Sequence, residues 1–306
     1  MRIVPHISGK KDLEMGKVAF KYWIKAARPK TLPVSMAPVV MSVAMAGLYQ
    51  SVNWPAAAIC LAFAIMAQIL SNLVNDYADG VKGIDRNRIG PQRMVASGLI
   101  PPKVMRFGMI MFGILTFMVG FALIYWGGWV LLPFGIVILL CALAYSAGPY
   151  PLSSHALGDV AVVLFYGIAP VALTFFIQVG YVNWQIIAAG LAIGIVADNL
   201  LIVNNYRDAE QDAAGGKKTT VIVFGKPFMR CVYYLNPIFA VLLMCLIFKS
   251  LNTLFCFIPF LAYSIHVNCR FAKAKGVEFN KLIGLSSLES ILFALTITIE
   301  ILCLKI

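Results

Sequence analysis

Nine apolar runs divide the chain, and short polar segments separate them. About 20 apolar residues in a helix are needed to cross the hydrocarbon core of a bilayer, which is about 30 Å thick. The pattern predicts an all-α, polytopic membrane helix bundle of about nine transmembrane helices. A membrane β-barrel would show ten-residue segments of alternating polarity, which these unbroken runs exclude. The predicted spans are 32–50, 55–77, 103–125, 128–146, 157–179, 184–205, 228–248, 251–269 and 282–304.

Composition agrees with this pattern. The 306 residues are 61% hydrophobic and only 12% charged, whereas soluble domains carry about 25% charged residues. We expect one transmembrane domain at 32–306. Residues 1–31 are basic and interleaved with aromatic and aliphatic residues, which predicts an interfacial segment lying on anionic membrane lipid.

The distribution of positive charge predicts an orientation. All of the 25 lysines and arginines except Lys249 and Lys305 fall on one side of the predicted spans. The positive-inside rule then places the N-terminus and both long polar loops in the cytoplasm. We expect a multi-pass protein, located in the bacterial inner (plasma) membrane. The net charge of +12 is spread over four loops, so it indicates contact with lipid and anionic ligands and not with nucleic acid.

A first acidic motif follows the second apolar run, within 72–98. Carboxylates at the mouth of a membrane helix are costly and usually functional. Hard oxygen ligands suit Mg²⁺, which keeps its own waters and bridges to substrate phosphates. We therefore predict a metal–diphosphate site, with neighbouring basic residues holding the phosphate. The acidic residues are Asp76, Asp79 and Asp85, and the basic ones are Lys82, Arg86, Arg88 and Arg93.

A second acidic motif ends the sixth run, in 204–219. On a helix, Asn205, Asp208 and Asp212 share one face, as Asn72, Asp76 and Asp79 do in the first motif. The two motifs match in three of five positions, which suggests a duplicated four-helix unit. Two such faces closing on one cavity would each hold a Mg²⁺, with a diphosphate between the metals.

Several residues of these motifs also have structural interpretations. Glu210 is better explained as part of a solvated loop. Lys217 and Lys218 are either ordinary cytoplasmic positive charges or anion ligands, because the glycines before them let backbone N–H groups approach an anion. Asp198 is either a satisfied core polar group or functional. The loop from Tyr145 to Asp159 contains glycine and prolines that break helices at the same membrane face.

These motifs resemble the UbiA superfamily of intramembrane aromatic prenyltransferases, and within it the branch that prenylates 1,4-dihydroxy-2-naphthoate. The resemblance rests on the following stretches: Arg28-Pro-Lys-Thr-Leu-Pro33, Asn75-Asp76-Tyr77-Ala78-Asp79, Lys82-Gly83-Ile84-Asp85, Gly90-Pro91-Gln92-Arg93, Asn204-Asn205-Tyr206-Arg207-Asp208 and Gly216-Lys217-Lys218-Thr219. Ser153-Ser154-His155 departs from the pattern, because many relatives carry a basic residue there. Asp198 departs as well, since an apolar residue is expected.

The resemblance implies a central cavity, two Mg²⁺ ions, a polyprenyl diphosphate donor and prenylation of 1,4-dihydroxy-2-naphthoate with loss of CO₂ and diphosphate, giving the demethylmenaquinol of menaquinone biosynthesis. The predicted catalytic residues are Asp76, Asp79, Asp208 and Asp212; the same residues and Asp85 are the predicted metal ligands. The predicted substrate-binding residues are Asn72, Asn75, Lys82, Arg93, Tyr145, Asn204, Asn205, Arg207, Lys217 and Lys218.

Two alternatives stay open at this point. Another aromatic acceptor (4-hydroxybenzoate, homogentisate or haem) would use the same acidic motifs. A cation-coupled transporter would also combine acidic groups with broken helices, although its site would lie near the membrane midplane and not at one face.

Overall fold

The computed structural model describes residues 18–83 and 90–304, and within these ranges it contains helices and no strand. Asp85, Arg86 and Arg88 lie outside the described residues. The helices, in chain order, are α1 (Phe20–Ala27), α2 (Leu32–Ala46), α3 (Trp54–Lys82), α4 (Pro102–Ala122), α5 (Ile124–Gly127), α6 (Leu131–Ala144), α7 (Gly158–Val163), α8 (Ala169–Val179), α9 (Trp184–Ala214), α10 (Thr220–Phe224), α11 (Lys226–Phe248), α12 (Leu251–Cys256), α13 (Ile258–Lys273) and α14 (Phe279–Leu304).

The all-α membrane bundle is confirmed, but a count of nine spans is not. Within the described ranges, six helical segments are long and apolar enough to cross a membrane: Trp54–Lys82, Pro102–Gly127, Gly158–Val179, Trp184–Ala214, Lys226–Phe248 and Gly276–Cys303. The other three predicted spans contain α2, α6 and α13, which have 15, 14 and 16 residues. In two of these helices a residue of special backbone geometry marks the start. Gly128 turns the chain at positive φ before α6, and Pro259 occupies the first turn of α13.

The two longest helices, α3 and α9, begin in the same way. The Asn53 side chain accepts a hydrogen bond from the Ala56 N–H group, and Asn183 accepts one from Ile186, each over 3.1 Å. Such N-caps satisfy backbone donors that a helix start leaves unpaired. At 1.5 Å per residue, Asp76 lies about 33 Å along α3 and Asp208 about 36 Å along α9, so both acidic motifs come at similar depth.

Helix α9 forms the centre of the bundle and packs along α11 and α14, while α2 packs along α14. Between α7 and α8 the chain makes a π-helical turn at Leu164–Ile168, and this turn lies directly on α9. A Cβ on Gly167 would come within 2.3 Å of the Gly190 carbonyl oxygen, and one on Gly194 within 2.7 Å of the Val163 oxygen. Small residues four apart permit such close backbone contact in membrane helices.

Candidate active site

A cavity of about 660 Å³ runs through the bundle. Its polar end is lined by Arg28, Asn72, Asn75, Asp76, Arg93 and Asn204, and its apolar end by residues that include Cys60, Phe63, Leu131 and Ile177. The α3 residues from Asp76 down to Cys60 line it, which corresponds to a depth of about 24 Å at 1.5 Å per residue. The cavity therefore offers a polar mouth and a deep hydrocarbon-like interior to one ligand.

Asp76 is buried at the polar end, with 1% of its surface exposed. Its Oδ2 atom accepts a hydrogen bond from the Met94 N–H group (3.0 Å), and its Oδ1 atom accepts one from Val95 (2.8 Å). Because carboxylates accept backbone hydrogen bonds strongly, Asp76 fixes the turn after Arg93 against α3. Arg93 is thereby held at the cavity wall.

Lys217 joins the two acidic motifs. Its Nζ atom lies 3.2 Å from Asp79 Oδ2 on α3 and 3.3 Å from Asp212 Oδ1 on α9. Burial alone would lower the pKa of the Lys217 ammonium group, but the two carboxylates outweigh burial and raise the pKa above its ordinary value. Arg93 Nη2 also approaches Asp79 Oδ2, at 3.9 Å. The polar ends of α3 and α9 therefore converge at Lys217.

Arg207 contacts other side chains of the protein, whereas the sequence predicted that it binds the diphosphate. Its guanidinium group donates to both oxygens of Asp208 (2.7 and 2.6 Å), to Asn204 Oδ1 (2.7 Å) and to Asn280 Oδ1 (2.8 Å). The Arg207 side chain is fully buried. In this structure Arg207 thus orients Asn204 and Asn280, both of which line the cavity.

The remaining predicted site residues fall into three groups. Asn72, Asn75, Asn204 and Tyr145 line the cavity, whereas Asn205 is buried outside its lining. Lys82 and Lys218 are exposed; the Lys218 N–H group donates to the Ser154 carbonyl oxygen. Glu210 is exposed and pairs with Lys226, so it is solvated as predicted, but it lies in helix α9 and not in a loop.

The acidic side chains of the site could bind Mg²⁺ only if water and substrate phosphates supplied the other oxygen ligands. Within 18–83 and 90–304, no three His, Cys, Asp or Glu side chains gather closely enough to hold a metal ion. Mg²⁺, however, typically takes one or two carboxylates and completes its shell with water and substrate phosphates. Asp79 and Asp212, which both contact Lys217, fit that requirement. The assignment of Asp76, Asp79, Asp208 and Asp212 as metal ligands stays a prediction.

Three polar residues of the cavity, Arg28, Thr31 and Tyr166, were not among the predicted site residues. The Arg28 Nη2 atom donates to Asn75 Oδ1 over 3.3 Å, and Arg28 has a left-handed backbone (φ 51°), a conformation that is rare outside glycine. Deeper in the cavity, the Tyr166 hydroxyl donates to Gln68, whose amide donates to Thr31 Oγ1. Arg28 and Thr31 belong to the Arg28-Pro-Lys-Thr motif, which could have indicated their place in the site. Tyr166 lies within an apolar run, where no motif indicates a role for it.

Asp198 lies next to the cavity residue Ala197 and is 5% exposed. It is close enough to Asp159 for the two carboxyl groups to interact electrostatically, and both lie near Tyr145. Asp159 Oδ2 accepts a hydrogen bond from Thr220 Oγ1 (2.8 Å). Asp198 is thus one of two acidic residues behind the cavity wall.

The model of the UbiA prenyltransferase family matches residues 35–277. A 1,4-dihydroxy-2-naphthoate octaprenyltransferase of Haemophilus influenzae is 36% identical over 215 residues, which cover 67% of this chain and 70% of the relative. The protein of the same name from Escherichia coli K12 is 34% identical, covering 67% and 68%, and that of Mycobacterium tuberculosis is 32% identical, covering 70% and 74%.

Solved structures show the same fold. A UbiA homologue from Archaeoglobus fulgidus bound to GPP and Mg²⁺ superimposes with a TM-score of 0.64 at 17% identity, covering 92% of this chain and 99% of that one. A UbiA homologue from Aeropyrum pernix K1 superimposes with a TM-score of 0.65 at 14% identity and the same coverage.

Fold and site together define a multi-pass membrane protein of the prenyltransferase class. The polar ends of two long helices meet at Lys217, and Asp76 lines the polar end of an apolar cavity. The chain belongs to the UbiA prenyltransferase family. Within the family it is similar, at 32–36% identity, to proteins named 1,4-dihydroxy-2-naphthoate octaprenyltransferase.

Proposed function

We propose that this protein transfers a polyprenyl group from polyprenyl diphosphate to 1,4-dihydroxy-2-naphthoate. A carbon–carbon bond forms between the allylic carbon and the ring carbon bearing the carboxylate, the allylic carbon–oxygen bond breaks, and diphosphate and CO₂ leave. The observation that carries the proposal is the contact of Asp79 and Asp212 with one lysine, beside an apolar cavity. The choice of acceptor is supported by relatives at 31–36% identity that are named 1,4-dihydroxy-2-naphthoate octaprenyltransferase.

The polar end of the cavity would bind the diphosphate. Arg28 and Arg93 line that end and carry planar guanidinium groups suited to phosphate oxygens. Lys217 would add a third positive charge at the helix ends, and Lys82 and Lys218 remain candidates for the outer phosphate. Asp79 and Asp212 would hold Mg²⁺, with Asp76, Asp85 and Asp208 as further ligands in the two-ion arrangement. When bound, Mg²⁺ neutralises charge on the departing diphosphate.

The acceptor would lie between the diphosphate and the tyrosines. Tyr145 and Tyr166 line the cavity, and the faces of aromatic rings stabilise a nearby cation. Asn72, Asn75 and Asn204 offer amide groups to the polar substituents of the acceptor. The apolar interior excludes water, which would otherwise capture the allylic carbon.

The decisive experiment incubates the purified protein with Mg²⁺, octaprenyl diphosphate and carboxyl-radiolabelled 1,4-dihydroxy-2-naphthoate. We expect a prenylated product and release of labelled CO₂ in equal amounts, both lost on chelation of Mg²⁺. Parallel reactions contain 4-hydroxybenzoate or homogentisate. Transfer to either of these but not to the naphthoate would refute the acceptor, and transfer to no aromatic compound would refute the function.

A further inference from the structure

A second polar cluster lies inside the bundle, away from the cavity. Glu289 and Ser286 of α14 and Asn199 of α9 are each 0% exposed, and they do not line the cavity. Asn199 comes nine residues before Asp208, which places the cluster about 14 Å below the acidic motif of α9. At this depth the cluster lies within two of the segments that are apolar enough to cross a membrane. An ionisable residue in such a place is costly and usually functional.

The amide groups of the cluster have a structural role. Pro237 lies inside α11 and has no N–H group, so the Tyr233 carbonyl oxygen, four residues earlier, loses its helical hydrogen bond. Asn199 Nδ2 donates to that oxygen instead, over 3.2 Å, and Asn236 Nδ2 donates to Asn199 Oδ1 over 2.9 Å. The Tyr233 hydroxyl pairs with Ser286 Oγ at 3.0 Å. These polar side chains therefore stabilise the packing of α9, α11 and α14.

The Glu289 carboxyl group is not satisfied in this way. Its Oε2 atom lies 3.5 Å from Asn199 Nδ2, the outer limit of a hydrogen bond, and its Oε1 atom has no partner among the described residues. The Ser264 hydroxyl of α13 lies beside the carboxyl group, and Ser290 is one turn from Ser286 on the same face of α14. Both hydroxyl oxygens are buried and lack a hydrogen-bond partner within 18–83 and 90–304. Glu289 Oε1 and these two oxygens are thus available to a ligand.

The ionised Glu289 side chain would bring a negative charge without a basic partner. None of the ion pairs among the described residues includes Glu289, and a buried charge is very unfavourable unless it is paired. A monovalent cation cancels one carboxylate, whereas a divalent ion would leave an excess positive charge. A proton cancels the charge too, but it joins the carboxyl group to one oxygen only and leaves the other hydroxyl unpaired.

We propose that Glu289, Ser264 and Ser290 bind one monovalent alkali cation, Na⁺ or K⁺, between α13 and α14. Hard cations take carboxylate and other oxygen ligands, which is what these three side chains offer. The site is separate from the one proposed for Mg²⁺ and diphosphate, and it depends on neither donor nor acceptor. The ion stabilises the packing of α14 against its neighbours, and α14 also carries Asn280, which accepts a hydrogen bond from Arg207 at the cavity.

The test measures thermal unfolding of the purified protein in detergent, at constant ionic strength, with Na⁺ or K⁺ replacing choline. We expect the melting temperature of the wild type to rise by about 3 °C or more with at least one of the two ions, because an ion that binds only the folded state stabilises it. The ion that acts at the lower concentration is the preferred one. In Glu289→Gln, which keeps the shape of the side chain and removes its charge, the rise should disappear.

Glu300→Gln is the matched control. Glu300 lies on the same helix, is 4% exposed and accepts a hydrogen bond from Thr253 Oγ1, so this variant should respond to the ions as the wild type does. A wild-type melting temperature that responds to neither ion would overturn the proposal, and the carboxyl group would then hold a proton. A Glu289→Gln protein that responds like the wild type would overturn it as well.

If Glu289→Gln does not fold, direct binding to the wild-type protein decides the matter. The probes are radiolabelled Na⁺ and Rb⁺, the latter standing in for K⁺, and we expect one bound ion per chain that choline does not displace. Ser264→Ala, which removes one ligand oxygen, should weaken this binding roughly tenfold. Absence of binding of both probes would overturn the site. Prenyl transfer enters none of these measurements, so their outcome is independent of the proposed function.

Discussion

At the scale of single residues, the acidic motifs contain carboxylates with different partners. Asp76 accepts two backbone hydrogen bonds, Asp208 pairs with the adjacent Arg207, and Asp79 and Asp212 meet at Lys217. Motif spacing alone treats these four residues as equivalent. Their partners indicate that Asp79 and Asp212 are the ones placed to exchange Lys217 for a ligand, while Asp76 also holds the fold of the site together.

Asp79→Asn and Asp212→Asn should each lower prenyl transfer by about 100-fold or more, the loss typical of removing one electrostatic stabiliser of a transition state. Asparagine keeps the size of the side chain and removes only its charge. The measurement is turnover at saturating Mg²⁺ and donor. Glu210→Gln, on the same helix but exposed and paired with Lys226, is the control and should retain nearly full turnover. Equal losses in all three variants would refute a special role for Asp79 and Asp212.

Asp76→Ala should lower both stability and activity. The substitution leaves the N–H groups of Met94 and Val95 buried without an acceptor, and one unsatisfied buried group costs about 1–3 kcal/mol. We therefore expect the free energy of unfolding to fall by about 2 kcal/mol or more. Reversible unfolding in mixed micelles measures it, with Asp79→Ala as a comparison. A stable but inactive Asp76→Ala protein would show that the two hydrogen bonds contribute little.

At this scale the sequence predicted where polar side chains lie on a helix better than it predicted their hydrogen-bond partners. The i, i+4 spacing placed Asn72 and Asp76 on one cavity-facing side of α3, as the structure has them. The role of Arg207 as a diphosphate ligand stays a prediction; in the structure its guanidinium group donates hydrogen bonds to Asp208, Asn204 and Asn280. Asn280 lies 73 residues away on α14, and such tertiary contacts leave no periodic signal in the sequence.

At the scale of helices, the apolar runs predicted helices throughout, but within the described residues only six of the nine predicted spans contain a helical segment long and apolar enough to cross a membrane. The starts of α3 and α9 follow from asparagine caps, and these two helices lie where the runs predicted. The run at 157–179 gave no indication of the π-helical turn at Leu164–Ile168, because π turns arise from tertiary contact and not from hydropathy. That turn brings Gly167 against α9.

Gly190→Ala should destabilise the bundle, because the new Cβ would lie 2.7 Å from the Ile168 Cα atom and neither backbone can yield easily. Overpacking of this kind costs about 1–3 kcal/mol. Gly284→Ala in α14 is the matched control: its Cβ would meet nothing within 4 Å, and alanine favours helix by about 1 kcal/mol. Thermal unfolding in detergent should therefore move in opposite directions for the two variants. A Gly190→Ala protein as stable as the wild type would contradict the close packing.

At the scale of the whole molecule, the distribution of basic residues predicts which membrane face carries the site. In a background whose seven cysteines are replaced, Lys275→Cys should react with a membrane-impermeant thiol reagent only after the membrane is opened, since the positive-inside rule places that loop in the cytoplasm. Ser51→Cys, in an uncharged loop that is also exposed, should react in intact cells. The reverse pattern would invert the proposed orientation.

The bridge made by Lys217 has a consequence for how the two halves of the bundle stay together. Asp79 comes from the first half of the chain and Asp212 from the second, and two anions brought together in a poorly hydrated place would drive their helices apart. A cation supplied by the chain itself removes that repulsion during assembly. Any incoming ligand then has to outcompete an intramolecular counter-ion, so a weakly charged compound would leave the bridge intact, and a diphosphate delivered with its own cations has the charge to replace it.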